Sequence, residues 1–326
     1  MKRYVRTSVV LCTYNGERFI ADQLKSLLAQ TRSVDEILIC DDGSTDGTRE
    51  RIRLGAALAA GAIKFVSNAA PLGVSSNFNQ GLQLASGEVC FLCDQDDVWR
   101  VDKVHKVLEV FERERDVLLV HSDARIIDAA GSPTGATLMR ALRPSSGDLK
   151  AYDAGDCLSV LLKRNLVTGA TAAIRRELLH YALPIPDGYW HDEWLALIAA
   201  AVGRVRRVAE TLIDYRIHAD NQAGLRLVSR AAKLRGAMSR RGNFHALRAL
   251  KLEVLYERLS KLGKVVPPDR MAVVEACRQH WRMRAHLPRS RVERAPLVVR
   301  AWVAGGYRRF SNGWLSAVRD LTESLP

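Results

Sequence analysis

The chain has 326 residues, 48% of them hydrophobic and 26% charged, with a formal net charge of +13. That is enough for one large domain, or a domain and an appendage, around a sizeable buried core. No run of 18 or more uncharged apolar residues occurs, so no transmembrane helix is expected. The basic start, Met1 to Arg6, leads into a short apolar run ending in Thr13-Tyr14-Asn15 without a small-residue cleavage site. This predicts a first core strand rather than a signal peptide. From Arg226 to the end, Lys and Arg number 22 and Asp and Glu 7, a net of +15; residues 1–225 carry 27 and 29, a net of −2. The basic excess therefore belongs to the tail.

In chain order, Ser8–Cys12 is the continuous apolar run of a strand covered on both faces. Arg18–Gln30 has helical spacing, with Phe19, Ile20, Leu24, Leu27 and Leu28 apolar. Glu36–Cys40 is a second strand and Asp46–Ala60 a second helix, with Ser44 or Thr45 as its cap. Ile63–Val66, Val89–Cys93 and Val117–Val120 are further strands, separated by helices over Ser75–Ala85 and Val101–Glu114. This alternation predicts an α/β fold with a mostly parallel, Rossmann-like sheet flanked by helices. Residues 130–190 are irregular, an expected acceptor-side region. Trp194–Ala201 reads as a buried helix and Val205–Tyr215 as strand. From Leu225 the pattern is helical, basic and amphipathic, with a break at Pro267-Pro268. The expected domains are 1–225, and a helical C-terminal extension over 226–326.

Six cysteines occur, Cys12, Cys40, Cys90, Cys93, Cys157 and Cys277. Cys90 and Cys93 have C-x-x-C spacing, but no second pair completes a zinc site, and residues three apart on a strand face opposite ways. They read as small buried hydrophobes in a reducing cytoplasm.

Ligands of such sheets bind beyond the carboxyl ends of the strands. Four successive ends carry polar residues: Thr13-Tyr14-Asn15, Asp41-Asp42-Gly43-Ser44, Ser67-Asn68 and Asp94-Gln95-Asp96-Asp97. Three carboxylates in four residues repel one another unless a cation intervenes, and oxygen ligands suit Mg2+ or Mn2+ completed by diphosphate oxygens. An apolar strand followed by Asp94, an acid two residues on, and Val also fits a haloacid-dehalogenase-like phosphatase with Asp94 as nucleophile. In that fold, however, the strand usually opens the domain.

The segments Val9–Gly16, Ile39–Asp46 and Asp94–Trp99, in this order and spacing, resemble the family 2 inverting glycosyltransferases. The resemblance covers roughly residues 7–225 and implies a GT-A type fold. It implies that Thr13, Tyr14 and Asn15 line the base and ribose pocket, and that Asp41 or Asp42 hydrogen-bonds the base. Asp94 and Asp96 would lie at the nucleotide, with Asp96 and Asp97 at a Mn2+ or Mg2+ ion; Asn68 would contact the nucleotide. Inverting transfer needs a base for the acceptor proton. The family commonly places Glu-Asp ahead of a buried helix; here His191-Asp192-Glu193 stands there, which makes Asp192 the expected base and Glu193 its competitor. Leu166–Thr171, with Thr168 and Gly169, resembles the stretch beside the donor sugar and acceptor, and Trp99 is placed with it. Tyr215–Gly224 resembles a segment of bacterial rhamnosyl-type members, in which His218 would reach the metal or diphosphate and Arg216 would balance phosphate charge.

The expected function is metal-dependent inverting transfer of a sugar, from a dTDP- or UDP-linked donor to a saccharide or lipid-linked acceptor, in bacterial surface polysaccharide or glycolipid assembly. A non-catalytic nucleotide-sugar binder is the further alternative. The basic tail, with Trp281, Trp302 and Trp314, suits peripheral contact with an anionic membrane, placing the protein in the cytoplasm at its inner face. No nucleic-acid motif accompanies the charge, and no nucleic-acid partner is expected.

Overall fold

A computed structural model describes residues 4–56, 62–219, 221 and 244–323. The chain divides into two compact units, one of 1–149, 166–199 and 203–227, the other of 150–165, 200–202 and 228–326. The expected boundary at 225 follows the charge; packing assigns 150–165 to the second unit as well.

In the first unit, β1 (Thr7–Thr13) is buried along its whole length, as a continuous apolar run requires. It pairs in parallel with β2 (Glu36–Asp41) and β4 (Val89–Asp94), and β3 (Ile63–Ser67) adds parallel to β2. Three helices connect these strands: α1 (Ile20–Leu28), α2 (Thr48–Ala56) and α3 (Val74–Leu84). Alternate strand residues Val9, Leu11, Ile37, Ile39, Phe91 and Cys93 pack with Ile20, Leu24 and Leu27 of α1 in one core. On the other face, Gly81 of α3 lies so close that a Cβ there would fall 2.5 Å from Val10 Cγ1 and 2.9 Å from Cys40 Sγ. Strands β1, β2 and β4 thus bury both faces, at roughly 1.5–3 kcal/mol per large aliphatic side chain, while β3 at the sheet edge is half exposed. All six cysteines are buried and free.

The sheet runs β3-β2-β1-β4-β8-β6-β9-β5. Its long ladders are parallel, including β6 (Val117–Ile127) with β9 (Arg204–Arg216). The short ones are antiparallel: β8 (Ala172–Arg175) between β4 and β6, β5 (Val98–Trp99) on β9, and β7 (Pro133–Thr137) on β6. The fold is the expected α/β, mostly parallel, GT-A type arrangement. Three details differ. Strand β6 runs seven residues past the expected Val120, through His121, Ser122 and Asp123, because both its faces stay covered. Asp46, not Ser44 or Thr45, meets the start of α2, accepting from Thr48 N at 3.1 Å. The irregular 130–190 stretch holds α5 (Leu138–Leu142), α6 (Ser146–Asp153), α7 (Cys157–Lys163) and α8 (Leu179–Ala182), each too short for periodicity to reveal. The expected end of α2 at 57–60 lies outside the described residues.

Helices α4 (Lys103–Arg113) and α9 (His191–Val202) complete this unit's framework. Register fixes the site: Thr13 stands opposite Asp41, and Cys12 opposite Asp94, so the ends of β1, β2 and β4 lie level.

The second unit is helical: α10 (Phe244–Leu262), α11 (Pro268–Ala285), α12 (Arg291–Val303), α13 (Gly306–Phe310) and α14 (Trp314–Thr322), with α7. The break at Pro267-Pro268 is present, Pro268 opening α11 where a missing N–H does no harm. The expected helix over 225–243 lies outside the described residues. Arg284 grips Asp320 bidentately, at 2.7 and 3.1 Å, and Tyr307 Oη donates to the same carboxylate at 2.6 Å. Both charged groups are buried.

Candidate active site

At the β1 and β2 ends, the Asp41 carboxylate is fully buried and accepts from Thr13 Oγ1 (3.1 Å), Ser44 N (3.1 Å), Ser44 Oγ, Arg49 Nε (3.1 Å) and Ser67 Oγ (3.3 Å). Gly43, at φ +80°, makes the turn that points Ser44 back. Asp42 accepts from Asn68 Nδ2 (3.0 Å), Leu72 N (2.7 Å) and Gly73 N (2.9 Å), and so shapes the loop entering α3. Asn15, at φ 48°, donates its N–H to Ser44 Oγ and accepts from Thr45 N at 2.9 Å each. Tyr14 is exposed, its backbone clamped by the Gln95 amide at 2.8 and 3.0 Å.

Beyond β4 the acids are held differently. Asp97 is 1% exposed; Oδ1 accepts from Arg216 N at 3.0 Å, while buried Oδ2 has no partner among the described residues. Burial, with Asp96 and Asp94 adding, holds the Asp97 carboxyl well above the usual carboxylate range. Burial, with Asp96 and Asp192, pushes Asp94 up to about 7. Asp96 Oδ2 meets His218 Nε2 at 2.8 Å and Asn221 Nδ2 at 3.1 Å. Arg216 is buried, stacked 4.8 Å over the Phe19 ring, and its Nε donates to the Asp96 carbonyl at 2.7 Å. The β5–β9 pairing delivers Arg216 to Asp97.

A buried cation underlies these acids. Lys103 is fully buried, its Nζ donating to the Ala170 carbonyl at 2.7 Å and lying 3.8 Å over the Trp99 ring. Burial lowers its pKa to about 7, against the charges of Cys93, Asp97 and Asp94.

Asp192 lies in the first turn of α9. Its carboxylate accepts from Gly169 N at 3.1 Å and Glu193 N at 2.6 Å, and burial pushes it up to about 6. Thr168 and Gly169 form the turn ahead of β8, where Thr168 O accepts from Thr171 N at 2.9 Å. A side chain on Gly169 would overlap the His191 ring. That imidazole stacks on Phe78, ring centroids 4.0 Å apart, with both nitrogens buried and unpartnered among the described residues. Burial lowers its pKa to about 3, so it is neutral.

The structure gathers Asp94, Asp96, Asp97, Asp192, Arg216 and His218 in one region, as the Asp94 and Asp97 shifts record. Asn68 stands apart with Asp42, and Glu193 is nearly buried beside Asp192. Trp99 is a correction. Expected beside donor or acceptor, it is 3% exposed and packs on Phe91 at 5.6 Å in the core. Arg216 likewise spends its guanidinium on backbone carbonyls, the Phe19 ring and Asp22, 3.7 Å away. Sequence reasoning missed Lys103, hidden among the charges of an amphipathic helix, and gave no role to Asn221 or the His191 ring.

Among the described residues, no three His, Cys, Asp or Glu side chains are arranged as a ready metal cage. Mg2+ and Mn2+ sites at diphosphates ordinarily need only one or two protein carboxylates. The orphaned Asp97 Oδ2 amid mutually repelling acids fits that smaller role.

An uncharacterised glycosyltransferase of Nostoc sp. is 32% identical over 224 residues, 67% of this chain and 66% of its own length. An Escherichia coli β-1,3-glucosyltransferase, named for UDP-Glc and α-D-GlcNAc-diphosphoundecaprenol, is 28% identical over 160 residues, 49% of this chain and 61% of its own. The matched stretches thus span just under two thirds of these relatives. The Pyrobaculum calidifontis mannosyltransferase solved with GDP-Man and Mn2+ superposes with a TM-score of 0.52 at 21% identity, covering 97% of this chain and 78% of that one, a likeness of fold. Glycosyl transferase family 2 matches residues 8–180, more than half the chain, and the protein belongs to that family.

Proposed function

We propose that this protein transfers a hexosyl or deoxyhexosyl group with inversion. The donor would be UDP- or dTDP-linked, and the acceptor a hydroxyl of a saccharide or lipid-linked saccharide, in bacterial surface polysaccharide or glycolipid assembly on the cytoplasmic side of the membrane. The E. coli relative's name offers a precedent for both substrates. The observation that carries the reading is the cluster of acids beyond β4, where one buried Asp97 oxygen has no partner among the described residues, with Asp192 beside it.

Asp97, through its free oxygen, and Asp96 with His218 would hold a Mn2+ or Mg2+ ion. When bound, such a cation offsets charge on the departing diphosphate. Thr13, Tyr14 and Asn15 would border the base and ribose, with Asp41, Asp42 and Asn68 shaping that pocket's floor. Asp192 takes the acceptor proton as the hydroxyl oxygen bonds to the anomeric carbon and the bond to the diphosphate oxygen breaks. A carboxyl held near 6 is part-way to a neutral operating pH, as a general base needs. Gly169 N and Glu193 N fix its orientation.

The test is incubation with UDP- and dTDP-sugars, Mn2+ and saccharide-lipid acceptors. Acceptor-dependent release of nucleoside diphosphate is expected. Phosphate release from small esters would point to the phosphatase instead, and binding without turnover on any acceptor to a non-catalytic binder; either overturns the proposal.

A further inference from the structure

Helices α12 and α14 of the second unit bury charged residues beside a small apolar cluster of Leu287, Val298, Tyr307 and Ala317, and expose most of their other large apolar residues. The inward side of α12 carries Arg294, fully buried, whose guanidinium donates to the carbonyls of Pro288, Arg289, Asp320 and Glu323 at 2.7–3.0 Å. The inward side of α14 carries Ala317 and Asp320. Apart from Val298, which is buried in that cluster, the large apolar residues of α12 point out. Val292 is 84% exposed, Val299 55%, Trp302 45% and Val303 79%. With Ala295 and Pro296 between them, they follow the spacing of a single helical stripe. Helix α14 likewise exposes Trp314, Leu315 and Val318. The opposite faces are closed by the ionic network together with that apolar cluster, so the exposed stripes are not the edge of an unfinished core.

The charge around the stripe is positive. Arg289, Arg291, Arg300 and Arg308 are exposed. Of the three acids between His286 and Glu323, Asp320 is buried in its ion pair and Glu323 pairs with Arg319. Of the three, Glu293 is exposed. An apolar stripe with tryptophan at its edge and arginines beside it matches the boundary of an anionic bilayer, where acyl chains, the aromatic belt and phosphate headgroups follow in order. A second copy of the chain fits less well, since a two-fold contact on the stripe would bring two arginine fringes together. No helix among the described residues is long and apolar enough to cross a membrane, so contact would lie in the surface plane.

We infer that α12, through Val292, Val299, Trp302 and Val303, seats this protein on anionic membrane. The inference supplies a surface for the lipid-linked acceptor reading but does not depend on it. The test is co-sedimentation of the full chain with phosphatidylglycerol-containing vesicles and with phosphatidylcholine vesicles, beside light scattering for oligomeric state. Wild type should bind the anionic vesicles, more weakly at high salt. Val299→Glu with Val303→Glu, at exposed positions and with an unchanged melting curve, should bind about a hundredfold more weakly. Trp302→Ala, which adds no charge, should lose about tenfold. Equal binding of the double variant, no anionic preference in wild type, or a dimer that the double variant dissociates would each overturn the inference.

Discussion

Asp41 ends β2, with Asp42 just after it; Asp94 ends β4, with Asp96 and Asp97 just after it, on the other side of β1. All but Asp94, which is half-buried, are hidden, but the two groups are differently satisfied. Around β2, hydroxyls, backbone N–H groups and Arg49 fill the carboxylate oxygens. Around β4, one buried oxygen has no partner, two carboxyls are pushed up, and the underlying Lys103 is itself driven down to about 7. A buried acid that its own protein satisfies builds structure. One left short of donors stores unfavourable charge that a cation or proton can relieve, as functional sites tend to do. By this measure the β2 acids are framework first, and the proposed chemistry sits at β4 and α9.

The largest effect expected breaks the second group at its proposed base. Asp192→Asn should lower transfer about a thousandfold while donor affinity stays within about twofold; transfer near the wild-type rate would remove Asp192 from that role. Asp97→Asn should lower turnover by about a hundredfold or more. Because the substitution removes a charge the fold disfavours, its unfolding free energy should equal or exceed wild type by about 1 kcal/mol. Asp42→Ala should do the converse, costing about 3 kcal/mol in urea melts by orphaning Leu72 N, Gly73 N and the Asn68 amide. If Asp97→Asn destabilises as much as Asp42→Ala, the contrast between the two groups is wrong.

What the sequence reveals follows the same division. Strands β1, β2 and β4 are legible because burial on both faces leaves continuous apolar runs, and their polar ends are legible because such runs stop abruptly. Strand β8 is not, because four residues between β4 and β6 pair with partners more than fifty positions away. The acids of both groups look alike as letters; the donors brought from Thr13, Ser44, Arg49, Ser67 and the 68–73 loop separate Asp41 and Asp42 from Asp97. Lys103 and Trp99 mislead in opposite directions. The lysine reads as a solvated helix charge and is buried; the tryptophan reads as part of a binding motif and serves the core. In the tail, Arg284 and Arg294 read as surface charge and prove to be internal struts.

Glu36, at the opposite end of β2, sharpens the comparison with the smallest effect. Burial alone would raise its carboxyl, but hydrogen bonds from Lys64, Ser8 and Ser86 outweigh it and hold the group at about 2, below its ordinary 4.5. A depressed carboxyl contributes stability that is present above its unfolded pKa and lost as pH falls through the folded one. Wild type should therefore exceed Glu36→Gln by about 2 kcal/mol at pH 7, less than the full shift because the exposed Lys64 is screened. The gap should hold down to about pH 4.5 and close toward pH 2. Urea melts at pH 7, 5, 3.5 and 2.5 would show it. A gap that does not change with pH would mean that the Glu36 hydrogen bonds act through shape rather than charge, and a saturated acid would then not be the electrostatic asset that the contrast with Asp97 requires.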